Sequence, residues 1–286
     1  MEIEAWKAMA MRSIRKELAE AGLTPRRKWG QHFLVDRTIL DKVIRAARVG
    51  ENDVVLEIGP GLGEMTLALA EKARKVIAVE IDPKLVEILG NKITSYPNVK
   101  VIKRDILELD FNELYNQEGS SMKVVANLPY QISSPLLFRF MESKEAFSSF
   151  TLMLQREVAE RLVALPGRKE YGPLTVFVQA VADVSLHFFV KPSSFFPAPK
   201  VESAVIQMTW KDRPVVEPGD EAWFKRVVKG CLGYRRKTLA NALKHSDLPL
   251  PDEIVGRMER IGIDPRRRSD TLTIHELANL ASALRQ

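Results

Sequence analysis

Between Asp53 and Trp210 the chain alternates short apolar runs with longer amphipathic stretches. Val54-Val55-Leu56-Glu57-Ile58, Val76-Ile77-Ala78-Val79-Glu80, Val99-Lys100-Val101-Ile102, Lys123-Val124-Val125-Ala126 and Phe150-Thr151-Leu152-Met153-Leu154 are short and rich in β-branched residues. Their near-continuous hydrophobicity predicts strands buried on both faces, as in a parallel sheet. Segments around 63–72, 83–94 and 134–141 show helical periodicity and predict the helices that cover such a sheet. Val184 to Val190 and Val201 to Thr209 are two more strand-like runs. The stretch between them, Pro192 to Pro199, carries three prolines and predicts an ordered surface loop, since a central strand cannot hold them. After Trp210 the character changes. Asp212-Arg213-Pro214 and Glu217-Pro218-Gly219-Asp220 read as a linker, and Glu221–Leu232, Asp252–Ile261 and Ile274–Leu284 as short helices. The expectation is an α/β domain over 1–210 followed by a small helical domain over 211–286.

Composition adds three points. A chain of 286 residues, 45% of them hydrophobic, is long enough for one sizeable core and a second, smaller unit. A single cysteine, Cys231, forms no internal disulfide, and no apolar run approaches a membrane span or follows a secretory leader, so a reducing, cytoplasmic compartment is expected. Charge is segregated. Residues 1–50 hold eleven basic and six acidic side chains, residues 51–210 seventeen and twenty, and residues 211–286 fifteen and eleven. The basic excess on both flanks suits a polyanionic partner, although solvated helix faces give similar counts.

Candidate chemistry follows the strands. Leu56-Glu57-Ile58-Gly59-Pro60-Gly61-Leu62-Gly63 ends the first of these strands in a glycine turn that opens a helix, where a ligand can approach the main chain without meeting a Cβ. The Gly-x-Gly-x-Gly spacing is not that of a dinucleotide fingerprint, and no phosphate-loop Lys-Ser or Lys-Thr follows it. Glu80 ends the next strand, where a carboxylate can accept from both ribose hydroxyls, and Asp105 ends the one after, placed to accept from an adenine amino group. After the fourth comes Asn127-Leu128-Pro129-Tyr130. An Asn or Asp, a proline-fixed turn and an aromatic form the target site of amino-methyltransferases. An exocyclic adenine nitrogen is a poor nucleophile, and positive charge develops on it as it attacks a sulfonium methyl. The Asn127 side-chain oxygen and the Leu128 carbonyl can hold its hydrogens while the Tyr130 ring stacks on the base. Neither a metal nor a covalent nucleophile is required. By residue chemistry alone His32 reads as a capping or packing histidine, since nothing nearby makes a metal set.

Taken with Lys28-Trp29-Gly30-Gln31-His32-Phe33-Leu34-Val35-Asp36, Gln131-Ile132-Ser133, Leu154-Gln155-Arg156-Glu157-Val158-Ala159, Phe195-Phe196-Pro197-Ala198-Pro199-Lys200-Val201-Glu202-Ser203 and Tyr234-Arg235-Arg236-Lys237-Thr238-Leu239, these motifs make the chain resemble the bacterial small-subunit ribosomal RNA adenine N6-dimethyltransferases over nearly its whole length. Departures are small, at Trp29, Met65 and Gln131. The resemblance implies a seven-stranded, mostly parallel S-adenosylmethionine methyltransferase sheet with a small C-terminal all-α domain. It implies cofactor contacts at His32, Leu34, Gly59, Gly61, Glu80, Asp105 and Asn127, with S-adenosyl-L-methionine as the cofactor and no metal. Asn127, Leu128, Pro129 and Tyr130 would serve the acceptor, with Phe195 sandwiching the base opposite Tyr130. Arg26, Arg27, Lys28, Arg235, Arg236 and Lys237 would bind RNA. The implied substrate is a pair of adjacent adenosines in a hairpin loop near the 3′ end of small-subunit ribosomal RNA, within an immature 30S particle. The enzyme would be a cytoplasmic monomer that does not engage a membrane. A large-subunit RNA methylase of the resistance type and a non-catalytic nucleic-acid-binding factor of the same fold are the alternatives.

Overall fold

The structure, a computed structural model, describes residues 2–25, 30–216 and 220–285. The helices are α1 (Glu2–Glu20), α2 (Arg37–Ala47), α3 (Glu64–Ala70), α4 (Pro83–Lys92), α5 (Phe111–Glu118), α6 (Ser133–Glu142), α7 (Arg156–Leu162), α8 (Pro173–Gln179), α9 (Glu221–Gly233), α10 (Leu239–Lys244), α11 (Ile254–Arg260) and α12 (Ile274–Ala283). The strands are β1 (Phe33–Leu34), β2 (Val54–Ile58), β3 (Lys75–Glu80), β4 (Val99–Lys103), β5 (Met122–Asn127), β6 (Phe147–Gln155), β7 (Ala182–Val190), β8 (Phe195–Phe196) and β9 (Ser203–Trp210).

Seven strands form one sheet in the order β4-β3-β2-β5-β6-β9-β7, while β1 and β8 make a separate two-stranded pair. Neighbours from β4 through β6 pair in parallel, and β9 runs antiparallel to β6. All five residues of β2 are buried, as are all but the first of β3, which is why both read as unbroken apolar runs. The edge strand β7 instead alternates between covered and exposed positions. The chain passes outward from β2 through β3 to β4, then returns by α5 to lay β5 on the other side of β2. That reversal opens a crevice at the carboxyl ends of β2 and β5, where ligands bind in open α/β sheets.

Contacts divide the chain into two compact units. One comprises residues 1–159 and 185–209, and the other 160–184 and 210–286. The helical tail expected from residue 211 is thus joined by the segment containing α8. Tyr171, fully buried, donates its hydroxyl to the Leu272 carbonyl at 2.9 Å, and Gly167 N–H bonds to the Asp270 carbonyl at 2.6 Å. Inside this unit α9 buries Phe224, Val227, Val228, Cys231 and Leu232, and α12 buries Leu277, Leu280 and Ala281. Burial pushes the Cys231 thiol up to about 12, which leaves it inert as a nucleophile. Thr273 and Glu276 close a capping box at the start of α12, satisfying N–H groups that the helix itself cannot. No helix among the described residues is long and apolar enough to cross a membrane.

Candidate active site

Gly59, Gly61 and Gly63 adopt φ of +66°, +58° and +89°, left-handed values that side-chain-bearing residues rarely take. A Cβ at Gly61 would lie 3.1 Å from the Phe33 ring, and one at Gly63 2.5 Å from Leu89 Cδ1. The turn is held from β3. Gly59 N–H donates to the Val79 carbonyl at 3.0 Å, and Gly61 N–H to Glu80 Oε2 at 3.3 Å.

Glu80 is buried at the end of β3, and its Oε1 also accepts the N–H groups of Ile81 and Asp82, each at 2.9 Å. Burial raises its pKa, and these main-chain donors oppose the rise. Asp105 lies two residues beyond β4 and caps a short turn, with Oδ1 accepting from Leu107 N–H at 2.9 Å. That turn is clamped by Arg139 of α6. Its guanidinium donates to the carbonyls of Ile106, Leu107 and Leu109 and stacks 4.9 Å over the Phe111 ring. Nothing in the apolar periodicity of α6 distinguishes this arginine from a solvated one.

Asn127 ends β5. Its Nδ2 donates to the His32 carbonyl at 3.1 Å, which turns the amide so that Oδ1 is the atom offered to a ligand. His32 is a junction for this end of the site. Its Nδ1 bonds to the Pro197 carbonyl at 2.6 Å, and its ring stacks on Tyr130 at 5.8 Å between centroids with planes 29° apart. The half-buried Tyr130 bonds through its hydroxyl to Ser203 Oγ at 2.8 Å. Burial raises the phenol's pKa further, so it remains neutral. Leu128 is buried and takes the Met153 carbonyl through its N–H at 3.0 Å. Sequence pattern alone gives Ser203 no role; its contact with Tyr130 exists only in the folded chain.

One cavity is lined by His32, Gly59, Gly61, Glu80, Asp105 and Asn127, together with Pro129 and Gln131. A neighbouring one adds Leu34 and Glu57 and shares His32, Gly59, Gly61 and Asn127 with the first. The seven residues expected to contact a cofactor therefore line two adjoining cavities that share part of their walls. A glycine cradle that a Cβ would fill, flanked by two strand-end carboxylates and an amide, fits an adenosine-bearing ligand. No cluster of three or more metal-ligating side chains occurs among the described residues.

Two expectations meet a different geometry. Phe195 does not sit at the cavity. It pairs with Leu34 across the short β1–β8 ladder and is 2% exposed, packed in the core with Leu40, Val43 and Val205. A ring enclosed by aliphatic side chains cannot sandwich a base in this conformation, so we correct its assignment to packing. Its neighbour Phe196, which alternation turns to the other face, lies under the Arg15 guanidinium at 4.9 Å. In the tail, Arg235 and Lys237 are engaged: Arg235 donates to the Arg168 carbonyl at 3.3 Å and lies 3.7 Å from Asp270, and Lys237 contacts His245 at 2.7 Å. Arg236 is exposed. Arg26, Arg27 and Lys28 lie outside the described residues.

A family model described as ribosomal RNA adenine dimethylase matches residues 22–286. The ribosomal RNA small subunit methyltransferase A of Caldanaerobacter subterraneus subsp. tengcongensis is 45% identical over 262 residues, covering 91% of this chain and 97% of that protein. Its namesake in Geobacter metallireducens is 43% identical, covering 92% and 96%. Among solved structures, a dimethyladenosine transferase from Plasmodium falciparum superimposes with a TM-score of 0.76 at 29% identity, over 87% of this chain and 96% of that one. The 23S rRNA methyltransferase ErmE shares the fold, with a TM-score of 0.69 at 24% identity over 89% and 100%. The chain belongs to the ribosomal RNA adenine dimethylase family.

Proposed function

We propose that the cavity at the glycine turn holds S-adenosylmethionine and that the protein dimethylates N6 of two adjacent adenosines in a hairpin loop near the 3′ end of small-subunit ribosomal RNA. The methyl donor and the reaction class follow from the family. The observation that carries the residue assignment is the convergence of the glycine turn, Glu80, Asp105 and Asn127 on one crevice at the sheet's reversal point.

S-adenosylmethionine supplies an electrophilic methyl group on a sulfonium centre. Glu80, with both oxygens already oriented by main-chain N–H groups, would accept from the ribose hydroxyls, and Asp105 Oδ2 from the adenine amino group. Asn127 Oδ1 and the Leu128 carbonyl accept from the target amino group, steadying the charge that grows on its nitrogen. Pro129 fixes the turn that aims both acceptors, and Tyr130, anchored by Ser203 and His32, offers the flat face against which an extruded base stacks. A loop base costs least to extrude because it gives up little stacking.

The substrate is an immature small subunit, met in the cytoplasm by a monomer, and the tail unit supplies RNA contacts. Incubation with S-adenosylmethionine and immature small subunits, followed by mass spectrometry of the nucleosides, should yield N6,N6-dimethyladenosine at two adjacent positions. Monomethyladenosine alone, or modification of large subunits instead, would contradict the reading. Glu80→Gln should weaken donor binding while leaving RNA binding unchanged, and unaltered donor affinity would remove Glu80 from the site.

A further inference from the structure

Three strand ends meet beside Tyr130 and form a surface that the methyl-transfer chemistry leaves unused. β6 runs two residues past Met153, the partner of Asn127, and hands over to Arg156, the first residue of α7. β9 starts at Ser203, whose hydroxyl anchors Tyr130, and Glu202 immediately precedes it. Phe189 stands one residue before the end of the edge strand β7. Arg156 ties the three together. Its main-chain N–H donates to the Glu202 carbonyl at 2.9 Å, its guanidinium donates to Glu202 Oε2 at 2.7 Å, and that guanidinium lies 4.6 Å over the Phe189 ring.

Packing does not account for the position of this ring. Phe189 remains 45% exposed with the guanidinium in place, and Val201, next to Glu202 in the chain, is 46% exposed. The other fully exposed positions of β7 are Asp183, Ser185 and His187, so the alternation of the strand puts a large apolar ring where it elsewhere puts polar groups. One exposed apolar residue by itself is ordinary. This one is covered by a flat cation that a carboxylate holds in place, and the connection from β7 to β9 adds the exposed Lys191 and Lys200.

Glu202 decides which part of an RNA such a surface suits. A phosphate approaching the Arg156 guanidinium would meet the carboxylate already paired with it, so that charge is spoken for. The planes of the guanidinium and the ring stay available, and a nucleobase of any identity stacks on such planes. Lys191 and Lys200 are the cations left for phosphates.

We propose that Phe189 and Arg156 form a stacking platform for an unpaired base of the RNA loop, outside the acceptor pocket and flanking the adenosine that enters it. Tyr130 takes the reacting base and the platform holds a neighbour. Held there, the neighbour cannot stack again on the target, which lowers the cost of drawing the target out of the loop. The inference rests on the reading that a ribosomal RNA loop presents its adenosines at Tyr130.

Binding of immature small subunits by wild type, Phe189→Ala, Phe189→Leu and Phe189→Trp across a salt series tests the platform, with melting curves checking each fold. Loss of one stacked base should weaken binding by Phe189→Ala about fivefold to a hundredfold. Phe189→Leu, equally apolar but not flat, should lose most of that affinity, and Phe189→Trp should bind at least as tightly as wild type. The salt slope should be the same for all four, because no phosphate contact is removed. Leucine as tight as phenylalanine would mean an apolar contact with a protein and overturns the inference, as does a salt slope that falls along with affinity. Should the alanine or leucine variant not fold, ultraviolet cross-linking of the wild-type complex and mass spectrometry of the adducts decide. The peptide carrying Phe189 should then bear a nucleotide from the loop that holds the target adenosines, and a nucleotide from elsewhere, or none, overturns the platform. Equal affinities of all four proteins remove the platform alone, whereas failure of wild type to bind small subunits overturns the substrate reading with it.

Discussion

At the scale of single residues, two polar side chains of the central strands do opposite work. Asn127 is satisfied on one side, by the His32 carbonyl, and presents the other. Asn127→Ala should lower kcat by roughly thirtyfold or more, about 2 kcal/mol of transition-state stabilisation, as deletion of a preorganised acceptor does elsewhere. Single-turnover methylation with saturating donor checks this, and a variant that loses only donor affinity would reassign the residue to cofactor binding. Glu57, by contrast, has no hydrogen-bond partner on either oxygen among the described residues. Its carboxyl stands at about 8 in the folded protein against 4.5 as reference. Between those values the native state holds a proton that the unfolded chain has released, so stability is full at the acidic end and lost as pH rises toward 8. Burial shifts Glu80 in the same direction. Melting curves from pH 5 to 9 should show the wild type losing stability relative to Glu57→Gln, by at most about 5 kcal/mol. Parallel curves would mean that the carboxyl is ionised throughout.

At the scale of elements, the site is assembled from the ends of strands and held by the turns that follow them. The helix α3 begins at Gly63, whose backbone could not tolerate a side chain: φ is +89° and the Leu89 methyl fills the place of a Cβ. Gly63→Ala should cost about 1–3 kcal/mol in denaturant unfolding, combining left-handed strain with displacement of a buried leucine. A loss below half that would show that the turn relaxes. On the other side of the crevice, Arg139 joins α6 to the turn after β4 through three carbonyls. The Ile106 carbonyl also accepts the Leu109 N–H, so the guanidinium adds to a tie within the turn there and fastens α6 to the Leu107 and Leu109 carbonyls close to Asp105. Arg139→Ala should raise the KM for the donor several-fold with little change in kcat, because it loosens a binding loop without touching the acceptor. A drop in kcat at unchanged KM would contradict this positioning role.

At the scale of the whole molecule, the segregation of charge seen in the sequence acquires particular carriers only in part. In the tail unit Arg235 and Lys237 are tied into local contacts, whereas Arg236 is exposed and Arg266, 3.5 Å from Asp264, still has 91% of its side chain accessible. If the tail grips RNA backbone, Arg236→Ala and Arg266→Ala should each reduce the magnitude of the salt slope of small-subunit binding by about one unit or somewhat less, with melting temperature unchanged. Arg235→Ala should lower stability instead, since it frees the Arg168 carbonyl and leaves Asp270 without that partner. Equal salt slopes for wild type and both exposed-arginine variants would take this surface out of RNA recognition.

Local pattern alone determined a good deal of this protein. The run Val54–Ile58 is β2 to the residue, the other apolar runs lie within or beside β3 to β7 and β9, and the helices expected at 221–232 and 274–284 are α9 and α12. Side-chain periodicity is a property of neighbours in sequence, so it can be read there. The residues Gly59, Glu80, Asp105 and Asn127 are legible for the same reason: Glu80 and Asn127 end their strands, and Gly59 and Asp105 lie within two residues of the ends of theirs. What pairs with what is not. The antiparallel placement of β9 between β6 and β7, and the association of 160–184 with the tail, depend on contacts far apart in the chain. The choice between Phe195 and Phe196 hung on the register of β1 against β8, which sets Leu34 opposite Phe195 and sends that ring into the core. Glu57 reads as one more strand acid until the folded chain surrounds it. Its isolation comes from desolvation by β3, β5 and α3 together, and burial from several directions exists only in the tertiary structure.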